Sequence, residues 1–220
     1  MNAKDIKKRA YILLEDVMKG KYLNKFEGIY ENKESLNCEL FSGSSEIFRG
    51  YYTPLLAFAI SGNLKKPQQV HNKTRDFTGF CYYFKESQLC ISEQYEYGII
   101  ASTELLFQEN DKKVISVQYD PACEVIAISQ TIFQKEKIET MVITLYNYDA
   151  EESICEFTCE VESKYFINSK LKEAEITEFS ADDESFEIDS ISFVYENDTT
   201  IGYYFNSDYY QLSKTASEWF

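Results

Sequence analysis

From Phe80 onward the chain alternates with a period of two, and no segment of helical period returns before its last residues. Phe80, Tyr82 and Phe84 alternate with Cys81 and Tyr83; Val114, Ser116 and Gln118 alternate with Ile115, Val117 and Tyr119. Successive side chains of a strand point to opposite faces, so this pattern specifies a sheet with two distinct faces. MVITLYNY, SICEFTCEV, AEITEF, SFEIDSISFVY and TIGYYF continue it. Roughly ten strands of ordinary length account for the whole stretch.

An aromatic residue before a polar turn recurs along these strands: Phe84 in FKESQL, Phe107 in FQENDKKV, Phe133 in FQKEKI, Phe166 in FINSKL and Phe193 in FVYENDTTI. The intervals are 23, 26, 33 and 27 residues, the length of one hairpin with its turns. IYENKESL at 29–36 reads as an earlier copy, which makes residues 26–41 a first hairpin. The polar residues vary while the aromatic-turn-aliphatic frame persists. A catalytic motif keeps its functional groups; a turn needs only polarity and backbone freedom. The repeat therefore describes architecture.

The expected fold is mainly β, an antiparallel up-and-down meander of roughly ten strands built from repeated hairpins. A large meander closes into a barrel or covers its edges. Closure with the N-terminal helix at one mouth is the expected form; an open, strongly curved sheet with helices on one face is the alternative. One domain spans residues 1–220, with the helix in 1–20, a long basic loop at 63–79 and the β-meander at 80–212. Ile6, Ala10, Leu13 and Val17, widened by Leu14 and Met18, form the apolar stripe of an amphipathic helix that stops at Gly20. Thr53, Pro54 and Gly62 punctuate a short buried helix near 53–61.

Charge is divided unevenly. Residues 1–80 hold 13 Lys/Arg against 9 Asp/Glu, residues 81–220 hold 9 against 28, and the whole chain carries a net −15. Such an acidic body repels phosphate backbones and anionic lipid, which argues against nucleic acid and membrane as partners and for a basic protein. Acidic residues Glu15 and Asp16 interrupt the only candidate leader, and the longest apolar run, 51–60, is half of the ~20 residues a membrane span needs. A cytoplasmic location is expected, with the six cysteines (38, 81, 90, 123, 155, 159) reduced.

Few residues point to chemistry. One histidine allows neither a His-rich metal site nor a histidine pair for acid–base work, and the eight glycines form no phosphate-cradling motif. Residues 181–189 are rich in Asp and Glu but lack the central Gly of a calcium loop. No catalytic residue, metal or cofactor is assigned. His71, Lys73 and Arg75 form a candidate functional loop. Cys81 and Cys90 are symmetric about Lys85 and Glu86, so a two-residue turn there places them opposite each other. Glu156, Glu160 and Glu162 fall at alternate strand positions and form a candidate acidic stripe that would steer a basic partner.

These features favour a non-catalytic acidic binding protein, of immunity or antitoxin type, engaging a basic protein. The alternative is a β-barrel holding a small apolar or aromatic ligand in a cavity lined by some of its 18 Tyr and 16 Phe.

Overall fold

The computed structural model describes residues 3–43, 68–134, 137–149, 154–168, 170–180 and 187–212, with 137–149 and 154–160 described by their backbone alone. The candidate helix near 53–61 lies outside the described residues.

The first helix, α1 (Ala3–Met18), forms where its stripe predicts. Ile6, Ala10, Leu13 and Leu14 are buried, and Gly20 follows with φ +72°. The predicted first hairpin is corrected. Residues 23–31 form a second helix, α2 (Leu23–Glu31), and a single 3-10 turn (Lys33–Ser35) leads into the first strand, β1 (Asn37–Ser42). The reason is packing. Tyr22, Phe26 and Ile29 share the i, i+4, i+7 helical spacing, and the rings of Tyr22 and Phe26 meet Phe107 at 5.1 and 5.4 Å. The apparent early copy at 29–36 is thus the end of a helix.

Among the described residues twelve further strands follow: β2 (Gln68–Val70), β3 (Gly79–Lys85), β4 (Gln88–Glu96), β5 (Ile99–Asn110), β6 (Lys113–Tyr119), β7 (Val125–Gln134), β8 (Lys137–Asp149), β9 (Ile154–Ile167), β10 (Lys170–Ser180), β11 (Asp189–Glu196), β12 (Thr199–Phe205) and β13 (Asp208–Gln211). They hydrogen-bond in one antiparallel sheet in the order β13 down to β3, then β1, then β2. From β3 to β13 every strand pairs with its neighbour in sequence. β1 breaks this order by lying between β2 and β3. Asn197 with Asp198, and Asn206 with Ser207, have positive φ at both positions of two-residue turns, the conformation whose twist suits a hairpin.

The ladder ends at β13 and at β2, so the sheet stays open. The expected closure into a barrel does not occur, and the apolar-ligand alternative loses the closed wall it required.

Both helices pack on one face. α1 lies over β7 and β8, and α2 over β4 and β5. Beneath them Tyr83, Ile91, Leu105, Phe107, Ile115, Val117, Ile128 and Val161 join the helix stripes in one core. The other face of the same strands is buried as well, around Phe80, Tyr82, Leu106 and Val114. This second face is mixed in character: the Ser116 hydroxyl lies 2.5 Å from both Glu104 Oε1 and Ser129 Oγ. Among the described residues no helix is long and apolar enough to cross a membrane.

Candidate partner-binding face

The candidate loop is docked rather than free-standing. The Gly98 amide donates to the Phe77 carbonyl (2.8 Å) and the Tyr97 amide to Thr78 Oγ1 (3.1 Å). Gly98, at φ +81°, lies so close to the Arg75 carbonyl that a Cβ there would sit 2.1 Å from its oxygen. His71 and Arg75 are exposed. Lys73 reaches back over the sheet, its Nζ 3.8 Å from the centroid of the Tyr95 ring.

Beside it lies a polar knot that the sequence reading missed. Glu93 is fully buried (0% exposed), accepts hydrogen bonds from the Tyr83 and Tyr95 hydroxyls, both at 3.0 Å, and pairs with Lys33. Lys33 Nζ also stands 4.7 Å from the Tyr83 ring centroid. Burial pushes the Cys81 thiol up to about 11, against the pull of Lys73, and burial with the Glu93 charge raises Tyr83 well above the ordinary phenol value. Tyr95 and Cys38 are raised by burial too. For Lys73 burial lowers the pKa, but its bonds to Tyr95 and Cys81 outweigh that and hold it above the usual lysine value. At neutral pH Cys81 therefore keeps its proton. The knot ties the Lys33 turn and the 71–78 segment to β3 and β4; it activates no nucleophile.

The cysteine pairing is corrected. The β3–β4 turn falls at Glu86 and Ser87, one position later than the symmetric placement, and a bulge follows between Tyr83 and Phe84. Cys81 then stands opposite Glu93, while Cys90 falls between Leu89 and Ile91 at the bulge. Both thiols are buried and free.

Glu156, Glu160 and Glu162 all lie on β9, opposite Tyr146, Val142 and Thr140 of β8. Glu162, however, points inward. It is 1% exposed and pairs with Lys164, itself 2% exposed, at 2.6 Å. The side chains of Glu156 and Glu160 are outside the described set. At Glu162 the stripe is thus part of the sheet's interior, not an outward acidic surface. The candidate loop and this stripe are not brought together: one flanks β3 and β4, the other is on β9.

The solvent-facing carboxylates stand one strand further on. Glu173 and Glu175 of β10 are exposed and share the sheet face that, under the helices, carries Phe107 and Val117. At the far end of β10 this face still meets α1, with Lys7 Nζ 5.7 Å from the buried Phe179 ring; among the described residues, the Glu173 and Glu175 end and β11 to β13 are open to solvent. One register row crosses five strands: Tyr165 of β9, Glu173 of β10, Ser192 of β11, Tyr204 of β12 and Tyr209 of β13. A second row holds Ser163, Glu175 and Ser190. Tyr204 and Tyr209 are 46% and 48% exposed, with ring centroids 5.3 Å apart. Tyr165 donates to Glu175 Oε2 at 3.4 Å. Gly202 sets the pose of Tyr209: a Cβ on it would lie 2.5 Å from the Tyr209 hydroxyl, so the ring rests across bare backbone. The signal was available in KLKEAEITEF, where Glu173 and Glu175 alternate with Ala174 and Ile176.

Among the described residues no group of His, Cys, Asp and Glu is arranged to hold a metal ion. Compared with protein-family models, with curated proteins and with solved structures, the chain finds no match.

Proposed function

We propose that the protein is a non-catalytic binding module that engages a basic protein through the bare half of its sheet, the task of an immunity protein or antitoxin that neutralises a cationic toxin. The row of Tyr165, Glu173, Ser192, Tyr204 and Tyr209 carries this reading. Tyrosine is enriched in protein interfaces because one ring offers apolar area together with a polar tip. The two exposed carboxylates lie among such rings, on a chain of net charge −15. The summed field raises the association rate of a cationic partner, and the face supplies short-range contacts.

Selection of displayed random peptides against the folded protein tests this. Enriched peptides are expected to be rich in Lys and Arg, and Glu173→Lys/Glu175→Lys to lose them. Glu27→Lys/Glu31→Lys, on exposed positions of α2, changes net charge by the same amount and is expected to keep most of the binding. Enrichment of neutral or acidic peptides, or equal losses in the two variants, would contradict a face-specific role.

A further inference from the structure

The bare face differs from a simple acidic surface in one respect: its carboxylates are interleaved with tyrosine rings and hydroxyls. Across the row the order is ring, carboxylate, hydroxyl, ring, ring, from Tyr165 through Glu173 and Ser192 to Tyr204 and Tyr209. Adjacent strands are about 4.8 Å apart, so Glu173 and Tyr204 stand about 10 Å apart along the row. Glu175 is two residues along β10 from Glu173, about 7 Å away on the same face.

The two cationic side chains would respond to this surface differently. A lysine ammonium is a compact, strongly hydrated point charge, drawn to any carboxylate. A guanidinium is flat and weakly hydrated, forks onto a carboxylate through two N–H groups and stacks on an aromatic ring at the same time. Only a surface that offers carboxylate and ring together discriminates between them. Two of the rings also brace each other. Tyr209 lies across Gly202 and against Tyr204, which lowers the rotamer freedom this pair has to lose on binding. On the other side of these strands Tyr203 and Tyr210 stack at 5.4 Å, which braces the β12–β13 hairpin carrying the exposed pair.

Building on the proposed binding role, we infer that this face selects an arginine-bearing segment of its partner, with guanidinium groups seated between Glu173, Glu175 and the Tyr165, Tyr204 and Tyr209 rings. Positive charge alone is not sufficient for this occupant.

The probes are nona-arginine and nona-lysine, equal in charge and length, titrated against the full chain in 150 mM salt. Nona-arginine is expected to bind at least about fivefold tighter, a gap of the size that one or two cation–π contacts supply. Tyr204→Ala/Tyr209→Ala should reduce that ratio to near one while leaving nona-lysine affinity almost unchanged. Tyr204→Phe/Tyr209→Phe, which keeps the rings, should preserve it. Glu173→Gln/Glu175→Gln should weaken both peptides, and circular dichroism of each variant establishes that the sheet is intact. Equal affinity for the two peptides, or a ratio that survives loss of the rings, overturns arginine selection and leaves the cationic-partner reading standing. Binding of neither peptide overturns both.

Discussion

On β5, β6 and β7 the residues facing the helices are Leu105, Phe107, Ile115, Val117 and Ile128; on β10 to β13 the same face carries Glu173, Glu175, Ser190, Ser192, Tyr204 and Tyr209. The backbone scaffold is shared, since both halves are antiparallel hairpins in one ladder. What differs is the cover. α1 and α2 bury the first set, and burial of each large apolar side chain contributes about 1.5–3 kcal/mol. The second set meets solvent, where surface polar side chains stabilise little. β10 to β13 hold together from their reverse face, through buried Leu171, Ala174, Ile191 and Phe193, which leaves the Glu173 and Tyr204 face free to change its chemistry without unfolding the chain. A surface relieved of a structural task is where binding residues accumulate.

This contrast is broken most easily at Phe107, which meets Tyr22 and Phe26 beneath α2. Phe107→Ala should cost about 4 kcal/mol in urea unfolding, against less than about 1 kcal/mol for Tyr204→Ala. Comparable costs would mean that the bare half is as much a core as the covered one. Next in size is the pair of carboxylates on adjacent strands. Glu162 is buried against Lys164, so Glu162→Ala should destabilise by about 3 kcal/mol, whereas exposed Glu173→Ala should stay within about 0.5 kcal/mol.

The polar knot has a pH signature of its own. Burial raises Cys81 from its ordinary thiol value to about 11 and raises Tyr83 and Tyr95 above the ordinary phenol value. The folded chain then holds these protons more tightly than the unfolded chain. Stability from this source is intact below pH 9.0 and is lost as pH climbs through about 11, with the tyrosines extending the fall upward. Urea midpoints measured across that range should decline, and Tyr83→Phe should make the decline shallower. The last variant in this series is Gly202→Ala, whose Cβ would meet both the Tyr209 ring and, at 2.7 Å, the Tyr210 carbonyl; it should displace the Tyr209 ring and the β13 edge at a cost of about 1–3 kcal/mol and lower affinity for a cationic peptide.

The sequence disclosed these two halves unequally. α1 was legible because Ile6, Ala10, Leu13 and Val17 recur at helical spacing, and the meander because alternation persists for over a hundred residues. α2 was misread: the polar Glu31-Asn32-Lys33-Glu34-Ser35 resembles a hairpin turn, and only the distant partner Phe107 shows that Tyr22 and Phe26 belong to a helix face. Placing Glu162 with Glu156 and Glu160 on alternate positions read the period of β9 correctly. Which face met water was invisible, because period two is the same from either side and cover is a tertiary property. The Cys81–Cys90 pair failed on a one-position shift of the turn and a bulge, the register details that local sequence specifies least. Barrel closure was a question about two edges far apart in sequence, β2 and β13, and no local pattern decides whether such edges meet.

The claim that binding is assigned to the uncovered face of β9 to β13 can be tested by a single titration. Backbone amide resonances of the isotope-labelled protein are followed as nona-arginine is added in 150 mM salt. Shifts are expected to centre on β9 to β13, at Tyr165, Glu173, Ser192, Tyr204 and Tyr209, with α1 and α2 unperturbed. Shifts centred on the helices or on residues 71–78, or no saturable shift at all, would contradict it.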